Sequence, residues 1–380
     1  MKRDEADIRR ENAACYRAMA RREFLERMGW GLGGGVLLGT GLAPFRDRLE
    51  AREKLPGPLN LYTIPALFGR DQDLNKFREK YDVDIKVTAW VNNPGAATKL
   101  ATGGTKLFDL TMMVHSFVKP LAIRNLLEPI DPAQIPNYAH LWPQFVNIPP
   151  YMYEGKLYGS PHIFGYDTIL YNAKFLSDVD SYGILFDEKV KGKIGMRDDP
   201  FWSIASFALY LGYENPWLLS KEDLDKIKEF TISKKHLIRK FWKGFSEAVT
   251  LFKNEEIWVS VGWRPMWRVL RNSGMDIRTI FPKEKAMGFL HAYIVSKGTK
   301  VMPTVYQYLD WVLGDEYGYA MVRDHAYYSP SKLVMSKLSE EEINEMGYDR
   351  FNDVMNNVVM ADYPFNLEDW HAMWNEYKSA

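Results

Sequence analysis

Several stretches of this 380-residue chain carry residue types that do chemistry. Gly29-Trp30-Gly31-Leu32-Gly33-Gly34 satisfies G-x-G-x-x-G, the pattern whose backbone N–H groups cradle a pyrophosphate. That chemistry needs an apolar strand before the glycines and a helix after them. The charged residues 21–27 precede them instead, which argues against a nucleotide loop. The only cysteine, Cys15, lies upstream of the glycines, so the rest of the chain has no thiol nucleophile, Cys-ligated metal or disulfide. The seven histidines form no H-x-H or H-x-x-x-H pair, and neither G-x-S-x-G nor a P-loop occurs. Tyr327-Tyr328 is an adjacent tyrosine pair beside Ser329-Pro330. What the chain offers in quantity is aromatic rings, 14% of all residues, suited to core packing or to the walls of a small-molecule cleft.

The residues around those glycines read better as an address. Ala20-Arg21-Arg22-Glu23-Phe24-Leu25-Glu26, followed by the glycine-diluted apolar run 28–43, resembles a twin-arginine export signal, with Arg21, Arg22, Phe24 and Leu25 as its core. Ala20 stands where Ser or Thr is usual and Glu26 where Lys is usual. The run falls short of the ~20 residues a membrane span needs. The reading places the protein in the periplasm, free or anchored at the inner membrane according to whether the signal is cleaved, with the twin-arginine translocase as a partner during export. The whole chain balances 49 basic against 49 acidic residues, which gives no broad field for nucleic acid or an anionic membrane.

Beyond the leader the elements alternate. Leu59-Asn60-Leu61-Tyr62 predicts a first strand after the linker Leu55-Pro56-Gly57-Pro58. Residues 73–80 show helical spacing, and Val83-Asp84-Ile85-Lys86-Val87 alternates as a strand does. Phe108-Asp109-Leu110-Thr111-Met112-Met113-Val114 reads as a strand buried on both faces. A second set follows. Its predicted strands are Tyr166-Asp167-Thr168-Ile169-Leu170-Tyr171-Asn172, 256–261 and 289–295. Its predicted helices are 203–210 and the one after the capping box Ser220-Lys221-Glu222-Asp223; a late helix begins at 339–342. The class is α/β, with two sets of elements around a cleft and ligand-binding loops at the carboxyl ends of the strands.

The order of short motifs resembles one family. These are Phe108-Asp109-Leu110; Leu157-Tyr158-Gly159-Ser160-Pro161 with Gly165; Tyr171-Asn172; Val190-Lys191-Gly192-Lys193-Ile194 with Asp198-Asp199; Gly212-Tyr213; Val259-Ser260-Val261-Gly262-Trp263; and Phe281-Pro282-Lys283-Glu284. In this order they are similar to the bacterial extracellular solute-binding proteins of ABC importers, and most to the spermidine/putrescine-binding branch. The resemblance implies the two-lobed periplasmic binding protein fold, with a hinge of crossing strands that closes on ligand. It divides the chain into signal 1–44, spacer 45–57, a first lobe of 58–165 plus 291–350, and a second of 166–290 plus 351–380. It implies a monomer that captures a solute and presents it to an inner-membrane permease, with no cofactor and no catalysis.

In that branch carboxylates grip ammonium groups and rings sandwich the methylene chain. By motif position Asp199 matches a ligand carboxylate, Trp263 a stacking tryptophan, and Phe164 and Phe289 other wall positions. Phe68 and Phe117 match walls of the first lobe. Trp202 and His291 stand where the branch places two more carboxylates, a change that forfeits charge-assisted bonds worth ~1.5–3 kcal/mol each. Arg264, next to Trp263, and Arg197, near Asp199, bring cationic donors instead. The resemblance therefore implies either a polyamine or a ligand with an anionic group that Arg264 clamps bidentately. Each residue has a plainer role too: Asp199 before Pro200 suits a helix cap, Arg264 an inter-lobe ion pair, and His291 a structural histidine. Two other classes stay open, a ferric-ion or other metal carrier and an exported enzyme.

Overall fold

The computed structural model describes residues 54–64, 68, 70–90, 92–364 and 366–380. The export signal (Arg21, Arg22, Phe24, Leu25), Cys15 and the glycine fingerprint lie outside them. Among the described residues no helix is long and apolar enough to cross a membrane.

The first half alternates as its sequence predicts. Strand β1 (Leu59–Thr63), helix α1 (Asp71–Tyr81), β2 (Ile85–Ala89), α2 (Asn93–Ala101) and β3 (Leu110–Val114) form a parallel set in the order β2-β1-β3. Asp109 ties the set together: its carboxylate accepts from the backbone N–H of Asn60 at 2.9 Å and from the Thr299 hydroxyl at 2.6 Å. The short α3 (Val118–Ile123) and β4 (Leu127–Glu128) follow. Then comes β5 (Ser160–Asn172), longer at its start than the predicted 166–172 and buried at every position.

The second half repeats the pattern with β6 (Ile194–Arg197), α4 (Pro200–Tyr210), α5 (Lys221–Lys234), β7 (Ile238–Trp242), α6 (Phe245–Lys253), β8 (Val259–Trp263), α7 (Arg264–Asn272) and β9 (Ile277–Thr279). The predicted capping box starts α5: the Ser220 hydroxyl accepts from the Asp223 N–H while Asp223 accepts from the Ser220 N–H. β10 (Ala286–Ser296) then returns to the first half. After it come α8 (Met302–Val312), α9 (Asp315–His325), α10 (Glu340–Met346), α11 (Phe351–Asn356), β11 (Val358–Met360) and α12 (Leu367–Ser379). Phe351 of α11 packs on Trp142, Phe145 and Phe164, whereas α12 packs on α5 and α4. The chain therefore crosses between cores along β11.

Among the described residues eleven strands make one continuous sheet with the path β2-β1-β3-β10-β5-β8-β6-β7. The two parallel sets meet only through β5 and β10, which pair antiparallel with each other from Met287 opposite Asp167 to Tyr293 opposite Ser160. This is the predicted α/β architecture of two lobes joined by crossing strands. One core gathers Leu61, Phe77, Met112, Tyr293 and Leu309; the other gathers Ile169, Tyr182, Phe207, Ile227 and Trp370.

Where the long strands cross, Gly165 is required by space rather than by backbone angle. A Cβ there would lie 2.6 Å from Phe289 Cζ and 3.0 Å from Tyr327 Cδ1. Gly165→Ala should therefore overpack the crossing and lower stability by about 1–3 kcal/mol in urea unfolding. An unchanged midpoint would show that the two rings are not held against this backbone.

Candidate functional site

Directly opposed residues of an antiparallel pair share a sheet face, and successive residues alternate. Met287 and Trp263 lie opposite Asp167 on its two neighbouring strands, and Phe289 lies opposite Gly165. Asp167, Trp263, Phe289 and His291 therefore share one face of the crossing, and Phe164 and Tyr166 take the reverse.

The loop after β6 brings charge to that face. Arg197 ends the strand and Asp199 caps α4, accepting from the Phe201 N–H at 3.0 Å. The Ser203 hydroxyl donates to the Arg197 carbonyl at 2.7 Å, which fixes the turn between strand and helix. From there the Arg197 guanidinium reaches back over the sheet. Its Nη1 donates to Asp167 at 2.9 Å, and its Nη2 lies 3.2 Å from the Asp199 carboxylate. The same group lies 4.6 Å from the centre of the Trp263 ring and 5.7 Å from that of Trp202. One cation is thus held between two carboxylates and two indoles.

Aromatic contacts extend this row into the first lobe. Trp202 meets Phe289 edge-on at 5.8 Å, Phe289 lies 5.3 Å from His291, and His291 lies 5.6 Å from Phe68. Tyr327 packs on Phe68 and Phe289, and His162 on Phe68. Burial pushes the His291 imidazole down to about 3, with His115 adding to the effect, and pushes His162 well below its ordinary value. Burial likewise pushes His325, which packs on Tyr327, down to about 4. These rings are neutral at physiological pH, so this end is polar without charge. Among the described residues the Nδ1 atoms of His162 and His291 are buried without a partner.

Phe68, Asp199, Trp202, Trp263, Phe289 and His291 are thus brought together, and three predicted residues are not. Phe117 meets Tyr363 at 5.1 Å, and Tyr363 faces Phe201 at 6.1 Å, so it stands at a rim away from the row. Phe164 points to the reverse face, among Phe145, Tyr328 and Phe351. Arg264, predicted as an anion clamp beside Trp263, is corrected by the structure. It begins α7 one residue beyond the strand and is only 5% exposed. Its Nη1 donates to the Tyr166 hydroxyl at 2.8 Å, its Nη2 lies 3.2 Å from the Met346 sulfur, and its guanidinium stacks 4.8 Å from Trp267. Arg264 therefore ties α7 to Tyr166 on β5 and to Met346 on α10, on the face opposite Asp167.

The adjacent tyrosines part company in the same way. The Tyr328 hydroxyl donates to the Met346 carbonyl at 2.5 Å while Tyr327 faces Phe68, and burial raises both hydroxyls. They do not form one ligand pair. Asp167 is the residue that the sequence reading missed as part of the site. Its signal was present: it is the one carboxylate in the run Ser160-Pro161-His162-Ile163-Phe164-Gly165-Tyr166-Asp167-Thr168-Ile169-Leu170-Tyr171-Asn172.

Comparison with known proteins agrees with this fold. The sequence model for the family described as bacterial extracellular solute-binding protein matches residues 74–344. The fold is similar to that of a putative spermidine/putrescine ABC transporter from Listeria monocytogenes, with TM-score 0.73, 20% identity and coverage of 84% of this chain and 98% of that one. It is similar to the spermidine/putrescine substrate-binding protein PotD of Streptococcus pneumoniae, with TM-score 0.73, 16% identity and the same coverage, 84% and 98%. It is also similar to AgtB of A. tumefaciens, solved with agropinic acid, with TM-score 0.65, 14% identity and coverage of 85% and 99%.

Asp167 gives the site a measurable signature. It is 1% exposed, and burial raises its carboxyl from 3.8 to about 6; the Asp199 charge adds to the rise, and Arg197 only partly opposes it. A carboxyl raised in the folded state contributes stability that is complete below the unfolded value and is lost as pH rises through the folded one. Compared with Asp167→Asn, which cannot titrate there, the wild type should lose up to about 3 kcal/mol of relative stability between pH ~4 and pH ~6. Denaturant unfolding at several pH values measures this, and a flat difference across that window would contradict the burial of an ionisable group at 167.

Proposed function

The chain belongs to the bacterial extracellular solute-binding proteins, and we propose that within this family it is the capture component of an ABC importer, closing two lobes on a small organic solute and presenting it to an inner-membrane permease. The observation that carries the reading is the row Arg197–Trp263–Trp202–Phe289–His291–Phe68. It spans both lobes and runs across the two strands that, among the described residues, alone join their sheets. Charge at one end, neutral imidazoles at the other and rings between them suit an elongated solute with a polar end and an apolar middle. Nothing in the row amounts to a nucleophile with an adjacent base, in keeping with capture rather than turnover. The leader with Arg21 and Arg22 supports export through the twin-arginine route to the periplasm, and the reading takes the working form as a monomer.

Titrating the purified protein with polyamines, amino acids, phosphonates, sulfonates and aromatic acids tests this. One class should raise the melting temperature, with stabilisation of ~2.7 kcal/mol at a hundredfold excess over Kd. The same ligand should shrink the radius of gyration in small-angle scattering as the lobes close. A protein that neither stabilises nor compacts with any class would refute solute capture.

A further inference from the structure

The cluster around Arg197 has the composition of a receptor for an organic cation, with two carboxylates and two indole faces converging on one point. That point is already taken. Nη1 and Nη2 are engaged by Asp167 and Asp199, and the guanidinium carbon lies 4.6 Å and 5.7 Å from the two indole centres. The occupant is held in place from below as well, because its backbone carbonyl is fixed by the Ser203 hydroxyl and its strand is paired on both sides. Arg197 remains 20% exposed, so one side of the group still faces out of the box. A guanidinium has five N–H donors, and Asp167 and Asp199 each engage one of its two terminal nitrogens.

We propose that Arg197 is a built-in cation that closes this carboxylate–indole box to free ammonium solutes, and that its outward N–H groups receive a hydrogen-bond acceptor on the solute, an amide carbonyl or a single carboxylate. The argument rests on the capture reading above and goes further by naming the polar end of the solute. A diamine or polyamine would have to displace a tethered guanidinium whose effective concentration at the box is far above that of any free solute. Two carboxylates against one guanidinium leave the box with a residual negative charge, which also disfavours a multiply charged anion. A neutral or singly charged acceptor is the class that satisfies both conditions. Its remainder would lie along Trp202, Phe289 and Phe68, toward the uncharged imidazoles.

Emptying the box tests the proposal. Arg197→Ala removes the tethered cation and leaves Asp167, Asp199, Trp263 and Trp202 facing a vacancy of guanidinium size. Isothermal titration should show ethylguanidinium and putrescine binding this variant at least ~tenfold more tightly than the wild type. The gain should vanish when Asp199→Ala is added, and Arg197→Lys, which refills the box with its own ammonium, should behave as the wild type does. Circular dichroism checks that each variant is folded. Should Arg197→Ala not fold, Arg197→Gln, neutral and closer in length, carries the same expectation. Putrescine binding to the wild type as tightly as to a folded Arg197→Ala or Arg197→Gln variant would overturn the proposal, as would a folded variant that gains nothing. A solute found for the wild type should be an acid or an amide and should lose at least ~tenfold in Arg197→Ala; a polyamine hit would again overturn it. The cation gain requires no natural solute, so a failed solute screen would count against capture while leaving this result standing.

Discussion

Everything specific to this molecule depends on the antiparallel pairing of β5 with β10. Among the described residues these two strands are the only hydrogen-bonded link between the sheets of the two lobes, and every one of their residues is buried. Register matters more here than elsewhere, because a slip of one residue would exchange the faces of one strand relative to the other. A slip of β5 would turn Asp167 away from Phe289 and Trp263 and bring Phe164 and Tyr166 round in its place. The pairing is pinned by shape as well as by hydrogen bonds, since Phe289 lies over Gly165 where no side chain fits.

The crossing has two faces with different work. One carries the row from Arg197 to Phe68. The other packs Phe164, Tyr166 and Tyr328 around the buried Arg264, which reaches from the start of α7 to the end of α10. Arg268 adds to this second link with a 2.9 Å pair to Glu345. A buried arginine among aromatic rings and hydroxyls is costly to bring out of water, and it persists where its partners are placed for it. Arg264 is held on every side, whereas Arg197 keeps part of its side chain exposed. Two guanidiniums of like composition are thus separated in role by the parity of the strand beneath them.

That parity explains what could and could not be read from the sequence. The α/β alternation, the Ser220 and Ser339 capping boxes and the strand at 110–114 were legible because each depends on residues within one or two turns. Asp199, Trp263, Phe289 and His291, which motif position picked out, lie on the same face of the crossing as Arg197. Arg264 was misplaced because its neighbour Trp263 is the last residue of β8 and the chain turns into α7 at that step, sending consecutive side chains to opposite faces. Phe164 failed for a related reason, as alternation within β5 puts it back to back with Gly165. Asp167 was passed over as a strand residue, although a carboxylate within a strand buried at every position has to be paired or protonated. The partner that answers it, Arg197, lies thirty residues away and meets it only through folding.

A shared fold is compatible with low sequence identity for a physical reason. The relatives with similar folds are 14–20% identical to this chain, so most contacts that build the two lobes are met by different side chains of like polarity and size. The charged part of the row draws on few residues, and Arg197 and Trp263 lie where strands end, where a change alters charge without disturbing the cores. The turn Arg197-Asp198-Asp199-Pro200 shows this division of labour within four residues. Asp198 faces the second lobe, holding Lys378 at 2.7 Å and the Trp374 indole N–H at 2.9 Å on α12. Asp199 caps α4, and Arg197 turns into the crossing. Two of the four residues secure the lobe, so the third is free to set the charge at the crossing. A single position of this kind can redirect a binding protein toward a different chemical class while the hinge and both cores stay as they are.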